Sequence, residues 1–512
     1  LRIHRNQIVL PAALAAVISL PALAQAEEYY RAAAATIVAP GHLVISSSTY
    51  TGTAATVTVG QALPISPSVA ATANGAYPTV FNNDLVDANF GITSPITLTG
   101  YATYDFAGDI VPGRVLGTLD VTAITGIATS FSSKSELSLH VSTDNSAITL
   151  MGYRAAINQL DISDTNTPGN IDPTNTDVAP ATYRDVVEVN TFGYLSATDT
   201  NAYSGNNGRG AILSVNTNGT GQNEYLMVGN GGNGASPPPV DIVNDTGAQL
   251  IGAQAASPTT TVVGVQQGTP GAASGFQFGF SVANPPLSAA ADKSGKDDNF
   301  RGITVFNQTE YVTKGSGSNG VDTVYQVSPA GGGLPTKANA STATISILPG
   351  FPTTLAKTAA TAPLTKQFYP FGLYFANSTT LYVADEGPQA LASSPNGGLQ
   401  KWIFNGTSWT LAYTLQAGLN LGTQYAVAGY PTQYNPATTG LRNISGYTEG
   451  NTVTIFAVTS TYSNLGDPGA DPNQVVEIVD NLSATTLPAG EAFTPVAGPT
   501  YGTVYRGVAY IP

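Results

Sequence analysis

Arg209-Gly-Ala-Ile-Leu-Ser-Val, Arg301-Gly-Ile-Thr-Val-Phe-Asn, Phe371-Gly-Leu-Tyr-Phe-Ala-Asn, Arg442-Asn-Ile-Ser-Gly-Tyr and Arg506-Gly-Val-Ala-Tyr-Ile-Pro say nearly the same thing five times. Each opens an apolar strand, at intervals of about 65 to 92 residues. Leu137-Ser-Leu-His-Val-Ser is a weaker sixth copy. A repeat of this period marks stacked supersecondary units, each of which needs its neighbours to bury an apolar face.

The unit is clearest from Phe371 to Gln416. Strands are expected over Phe371–Ala376, Leu381–Ala384, Leu399–Phe404 and Trp409–Leu415, with Asn405-Gly as a hairpin signal. Four antiparallel strands in about 45 residues describe one blade of a β-propeller. The same plan fits 303–348, 444–496, 211–282 and 137–197. Arg506 begins one more first strand, after which the sequence given ends. The N-terminal segment supplies a second strand at His42-Leu-Val-Ile-Ser, followed by Thr56–Val59, Ile96–Tyr104 and Val115–Val121. The C-terminal strand is therefore expected to complete the N-terminal blade, which removes an open sheet edge. The expected fold is all-β, a six-bladed propeller over residues 42–512. Seven blades remain compatible with the length of 43–130 and 209–300.

Turns between first and second strands are short, as at Asn307-Gln-Thr-Glu and Asn377-Ser-Thr-Thr. Connections after the second strand are long, as at 152–184, 229–247 and 385–398. These share a face with the segments that lead into each first strand. Function concentrates on variable loops held by a rigid scaffold, so a site is expected on this long-loop face.

Arg2 and Arg5 precede an apolar run from Ile8 to Leu23, and Ala22-Leu-Ala or Ala24-Gln-Ala follows. Residues 1–26 read as a secretory signal peptide and 27–41 as an N-terminal extension. An exported protein, periplasmic or extracellular, is expected, with no membrane span after cleavage. Charged residues are only 10% of the chain, and the formal charge of −14 falls to about −16 without Arg2 and Arg5. Such a surface does not suit nucleic acid. The absence of cysteine excludes disulfides, thiolate metal sites and Cys nucleophiles. A monomer is expected.

The segment Pro370-Phe-Gly-Leu-Tyr-Phe-Ala-Asn-Ser-Thr-Thr-Leu-Tyr-Val-Ala-Asp-Glu-Gly, running on to Gly398-Leu-Gln-Lys-Trp, resembles the repeat of NHL-type propellers and a blade of gluconolactonase-like propellers. The chain as a whole is similar to exported bacterial propellers. The resemblance implies a propeller fold and, for the gluconolactonase-like branch, a divalent metal held near the central channel by Glu, Asn and Asp. The family's Asn precedes the Gly of the motif, and Phe371 occupies that position here. Phe371 cannot bind a metal.

Four of the ten arginines, Arg209, Arg301, Arg442 and Arg506, open first strands, and Lys134 lies three residues before the sixth copy. First strands line the channel of a propeller. Two like charges about 10 Å apart repel by about 1.7 kcal/mol at an effective dielectric near 20. These cations therefore either pair with acids and staple blades together, or converge on a bound anion. Acid-rich loops carry Asp161, Asp164 and Asp172, and Asp385-Glu386 follows a second strand. Oxygen-rich loops suit Ca²⁺, and the same residues serve turn chemistry. Asp297 and Asp298, shortly before Arg301, are further candidate partners for the arginines. Trp402 and Trp409, across one hairpin, read as packing residues rather than a sugar platform. His42 and His140 read as packing or hydrogen-bonding groups, since no Gly-x-Ser-x-Gly elbow accompanies them.

Three functions fit: binding of a ligand or protein partner through the long-loop face and channel, an anion at the arginine cluster being the sharpest form; a metal-dependent hydrolase or lactonase, which is the form an enzyme would take; or a structural cell-surface component.

Overall fold

The computed structural model describes residues 30–64, 66–83, 91–104, 110–171, 180–216, 221–231, 247–264, 299–317, 320–359, 361, 363, 367–388, 390 and 396–512. Its strands form six four-stranded antiparallel sheets arranged as the blades of a propeller. From the channel outward, blade I is Thr503–Tyr510, His42–Thr49, Ile96–Tyr104 and Ile110–Asp120. Blade II is His140–Val141, Ala147–Tyr153, Arg184–Asn190 and Leu195–Thr200. Blade III is Gly208–Ser214, Glu224–Gly229, Ala248–Gly252 and Thr261–Val262. Blade IV is Gly302–Phe306, Thr309–Lys314, Thr323–Ser328 and Thr344–Ile347. Blade V is Pro370–Asn377, Thr380–Asp385, Gly398–Phe404 and Trp409–Leu415. Blade VI is Ala437–Glu449, Thr452–Tyr462, Val475–Asn481 and Thr494–Ala497.

The ring closes as the sequence implies: Leu43 pairs with Tyr510 and Thr49 with Thr503. The count is six, not seven. The length that allowed a seventh blade is in part an insertion between the second and third strands of blade I. There Thr56–Val59, expected as a strand, forms turns, and the short pair Ala62–Leu63 and Ser66–Ala70 lies further along. The insertion has its own core, where Tyr50, Tyr77, Phe81 and Phe131 meet ring to ring at 5.5–6.2 Å.

The remaining core lies between successive blades. Leu226, Ile303 and Leu373 belong to one buried cluster spanning blades III to V, and Leu441, Ile455 and Tyr382 to another between V and VI. Trp402 stacks on Phe351 with centroids 4.0 Å apart, and Trp409 packs against Phe375 and Phe404. Both indoles are packing groups. The described part of the N-terminal extension is a helix over 30–37. Its Ala34 and Ile37 are fully buried among blade I and II residues such as Leu98 and Leu150.

The Arg-Gly repeat has a steric cause. A Cβ on Gly302 would stand 1.9 Å from the Phe371 carbonyl oxygen, on Gly372 2.6 Å from that of Arg442, and on Gly507 2.4 Å from that of Leu137. At these three positions the neighbouring backbone leaves no room for a side chain, whereas a Cβ on Gly210 would meet only side-chain atoms, the nearest being His140 Nε2 at 2.7 Å. Asn443 breaks the pattern, and its Oδ1 instead accepts the Val508 N–H at 2.7 Å. Hydroxyls bond the same carbonyls: Thr313 donates to Phe371 O and Ser46 to Leu137 O, each at 2.6 Å.

Candidate functional site: the long-loop mouth of the channel

These contacts align Leu137, Arg209, Arg301, Phe371, Arg442 and Arg506 at one level, one per blade. Phe371 and Leu137, in blades V and II, divide the four arginines into two pairs. The pairs have different surroundings.

Arg209 and Arg301, on adjacent blades III and IV, line a cavity of about 260 Å³, and Lys134 lines it with them. The rest of the wall is mostly hydroxyls and amides, including Ser132, Ser133, Ser135, Ser163, Asn207 and Asn230. Asp164 and Asp467 also face it. Apart from Arg209, at the start of a first strand, every wall residue comes from a connection after a second strand or a segment leading into a first strand. The cavity therefore opens on the long-loop face, where the loop lengths point.

Arg209 Nη1 donates to Asn299 Oδ1 and to the Phe300 carbonyl at 2.7 Å. Arg301 donates through Nη1 to Ser135 Oγ and through Nη2 to Ser316 Oγ. These acceptors are neutral. They orient the guanidiniums. Beneath the wall, Glu136 is fully buried and takes bonds from the Thr129 hydroxyl at 2.7 Å and the Ser130 N–H at 3.0 Å. Burial raises its pKa, and these donors oppose the rise.

Arg442 and Arg506, on blades VI and I, are buried staples. Arg442 Nε donates to Glu386 Oε2 at 3.2 Å. Arg506 Nη2 donates to the carbonyls of Phe131 at 2.7 Å and Gly469 at 2.6 Å. Burial, with the nearby charge of Arg442, pushes the Arg506 pKa down to about 9. The four arginines thus form two sites, not one ring. The repeat could not reveal this, because the partners lie in non-repeating loops.

The described carboxylates among those proposed for a metal belong to two different blades. Asp161 precedes and Asp164 ends the short helical turn Ile162–Asp164 after the second strand of blade II, while Asp385 ends the second strand of blade V and Glu386 follows it. Asp385 accepts the N–H groups of Tyr369 at 3.1 Å and Gly387 at 2.8 Å, and Gln400 Nε2 at 3.2 Å. Burial raises its pKa to about 7, opposed by those two N–H groups. Glu386 is held by Arg442. Both carboxylates are engaged by donors of the protein itself. Among the described residues, no three or more His, Cys, Asp or Glu are grouped to hold a metal. Asp172, Asp297, Asp298 and residues 1–26 lie outside the described residues.

Arg184 was not singled out by the sequence, yet it organises one wall. It is fully buried and donates to the carbonyls of Asn206 at 2.9 Å, Thr182 at 2.8 Å, and Ser163 and Thr165 at 2.8 Å each. Ser163 and Asn206 line the cavity. One side chain thereby fixes the loops of blade II against the approach to blade III. Nothing in Tyr183-Arg-Asp-Val-Val separates it from an arginine at any strand start.

No protein-family model matches the chain, and no curated protein is found similar to it. Several solved structures are similar at low identity. The Niastella koreensis GH74 enzyme shares 12% identity at a TM-score of 0.31, covering 80% of this chain and 46% of that one. Thus this chain spans less than half of that enzyme's length. The polysaccharide lyase Uly1 shares 10% at 0.33, covering 70% and 72%. The hemagglutinin-neuraminidase ectodomain of parainfluenza virus 5 shares 10% at 0.33, covering 83% and 76%. Similarity at this level carries no activity or ligand to this chain.

Proposed function

We propose that this propeller binds a small anionic ligand, one carboxylate, sulfate or phosphate group, at the long-loop mouth of its channel. The convergence of Lys134, Arg209 and Arg301 on one cavity supports the reading above all. Two planar forks and one ammonium match the acceptors of an oxoanion. The serine hydroxyls add donors that an anion can use, and the buried setting strengthens each contact. A cavity of about 260 Å³ suits a compact ligand rather than a polymer segment. The acidic overall charge, −14 with the N-terminal arginines included, makes a local cationic cluster selective for ligands that enter it rather than for a broad anionic surface. The reading is of a binding protein, and the apolar run at residues 8–23 supports export.

Isothermal titration calorimetry with sulfate, phosphate and glucuronate tests it. One of the three should bind, and Arg301→Gln should weaken that binding at least tenfold. Binding should also fall as NaCl rises. No heat from any of the three, or affinity unchanged by Arg301→Gln, would remove the proposal.

A further inference from the structure

The channel has a second mouth, on the short-turn face, and its chemistry is the opposite of the first. A cavity of about 520 Å³ is lined by the outer-going halves of the first strands from all six blades. It shares no wall residue with the cationic cavity. Among the described residues, no Asp, Glu, Lys or Arg side chain lines it. His140 is neutral there, since burial lowers its pKa to about 4, and burial raises the phenols of Tyr374 and Tyr510 above 10.

The wall combines aromatic faces with neutral polar groups. Phe306 is stacked on Phe375 with centroids 4.8 Å apart and planes 8° apart, so its ring is held rigidly. Tyr510 is backed by Tyr447 at 4.5 Å. Thr304 and Ser445 line the cavity as well, and the Ser445 hydroxyl accepts the Tyr510 N–H at 2.9 Å. At the rim, Asn307 and Gln308 have φ of 47° and 57°. Two positive φ values in a two-residue hairpin normally call for Gly in the second position. Gln308 occupies that position and lines the cavity. A glycine would be less strained, so the retained side chain points to a use at the rim.

We infer that the short-turn mouth binds an uncharged sugar residue. Aromatic rings receive the C–H face of a pyranose, while hydroxyl and amide groups meet its edge. An anionic ligand would gain no cationic side chain there among the described residues and would be desolvated without compensation. The inference stands independently of the anion site at the opposite mouth.

The test is an array of neutral gluco-, galacto-, manno- and xylo-oligosaccharides printed beside uronate-containing ones, followed by calorimetry on the best neutral binder. Neutral glycans should bind in preference to uronates. Tyr374→Ala and Gln308→Gly should each weaken binding about tenfold or more, and Gln308→Gly should at the same time raise Tm. Arg301→Gln should leave the neutral sugar's affinity unchanged. Should Tyr374→Ala fail to fold, Thr304→Val keeps the cavity's shape, and its loss of a hydroxyl should cost affinity severalfold. Failure of every neutral glycan to bind overturns the inference. So does binding that survives these wall substitutions, or that is lost with Arg301→Gln.

Discussion

Replacing Gly302 with Ala tests whether the repeat exists to bring inner strands together. The new Cβ would stand 1.9 Å from Phe371 O, 2.9 Å from Phe371 C and 3.0 Å from Thr313 Oγ1. Two of these atoms are backbone, so no side chain can swing aside. Moving from 1.9 Å to ordinary contact separates blades IV and V by about 1.5 Å locally. The separation also strains a relay, since Gly302 N–H donates to Thr313 Oγ1 at 2.9 Å and that hydroxyl donates to Phe371 O at 2.6 Å. Overpacking costs about 1–3 kcal/mol. Loss of one buried hydrogen bond adds about 1 kcal/mol. The expected destabilisation is therefore about 2–4 kcal/mol, read as a lower urea midpoint by tryptophan fluorescence. Gly498→Ala is the control, because nothing lies within 4 Å of its added Cβ. It should be neutral or gain about 0.4–1 kcal/mol. Equal midpoints for the two variants would refute the close-approach account of the Arg-Gly repeat.

Other substitutions probe the buried charges. Glu310 is 1% exposed, and burial raises its pKa from 4.5 to about 8. A carboxyl with a raised folded pKa contributes stability below pH 4.5 that is lost as pH rises through 8, at no more than about 1.4 kcal/mol per pH unit. Glu310→Gln should match the wild type at pH 4 and exceed it by a margin that widens to pH 8 in urea melts. Lys401 and Asp480 form a fully buried pair at 2.9 Å between blades V and VI, bridged by Tyr413. Lys401→Met leaves that carboxylate without its cation and should cost about 3–5 kcal/mol. Arg184→Lys cannot reproduce a fork shared among four carbonyls. It should weaken anion binding severalfold while blade interfaces distant from it keep their hydrogen-exchange protection.

The sequence carries what is periodic. Blade number, the closure of Thr503–Tyr510 on His42–Thr49, and the packing role of both tryptophans follow from strand spacing and alternation. The long-loop face was legible for the same reason, because loop lengths are countable. Partner identity was not. Arg301 and Arg442 occupy equivalent positions, yet one meets serine hydroxyls and the other Glu386, since those partners come from loops with no common register. Arg184 has no sequence signature because its acceptors are backbone carbonyls, which no residue type announces. Asp385 suggested metal chemistry, but two N–H groups and an amide satisfy it from residues up to 16 positions away.

The most direct test of the central claim is a crystal structure grown with selenate, a sulfate mimic visible by anomalous scattering. An anomalous peak is expected between Lys134, Arg209 and Arg301, and it should disappear in Arg301→Gln. A peak at Arg442 and Arg506 instead, or density in the long-loop mouth from the protein's own carboxylates closing onto Arg209 and Arg301, would contradict it.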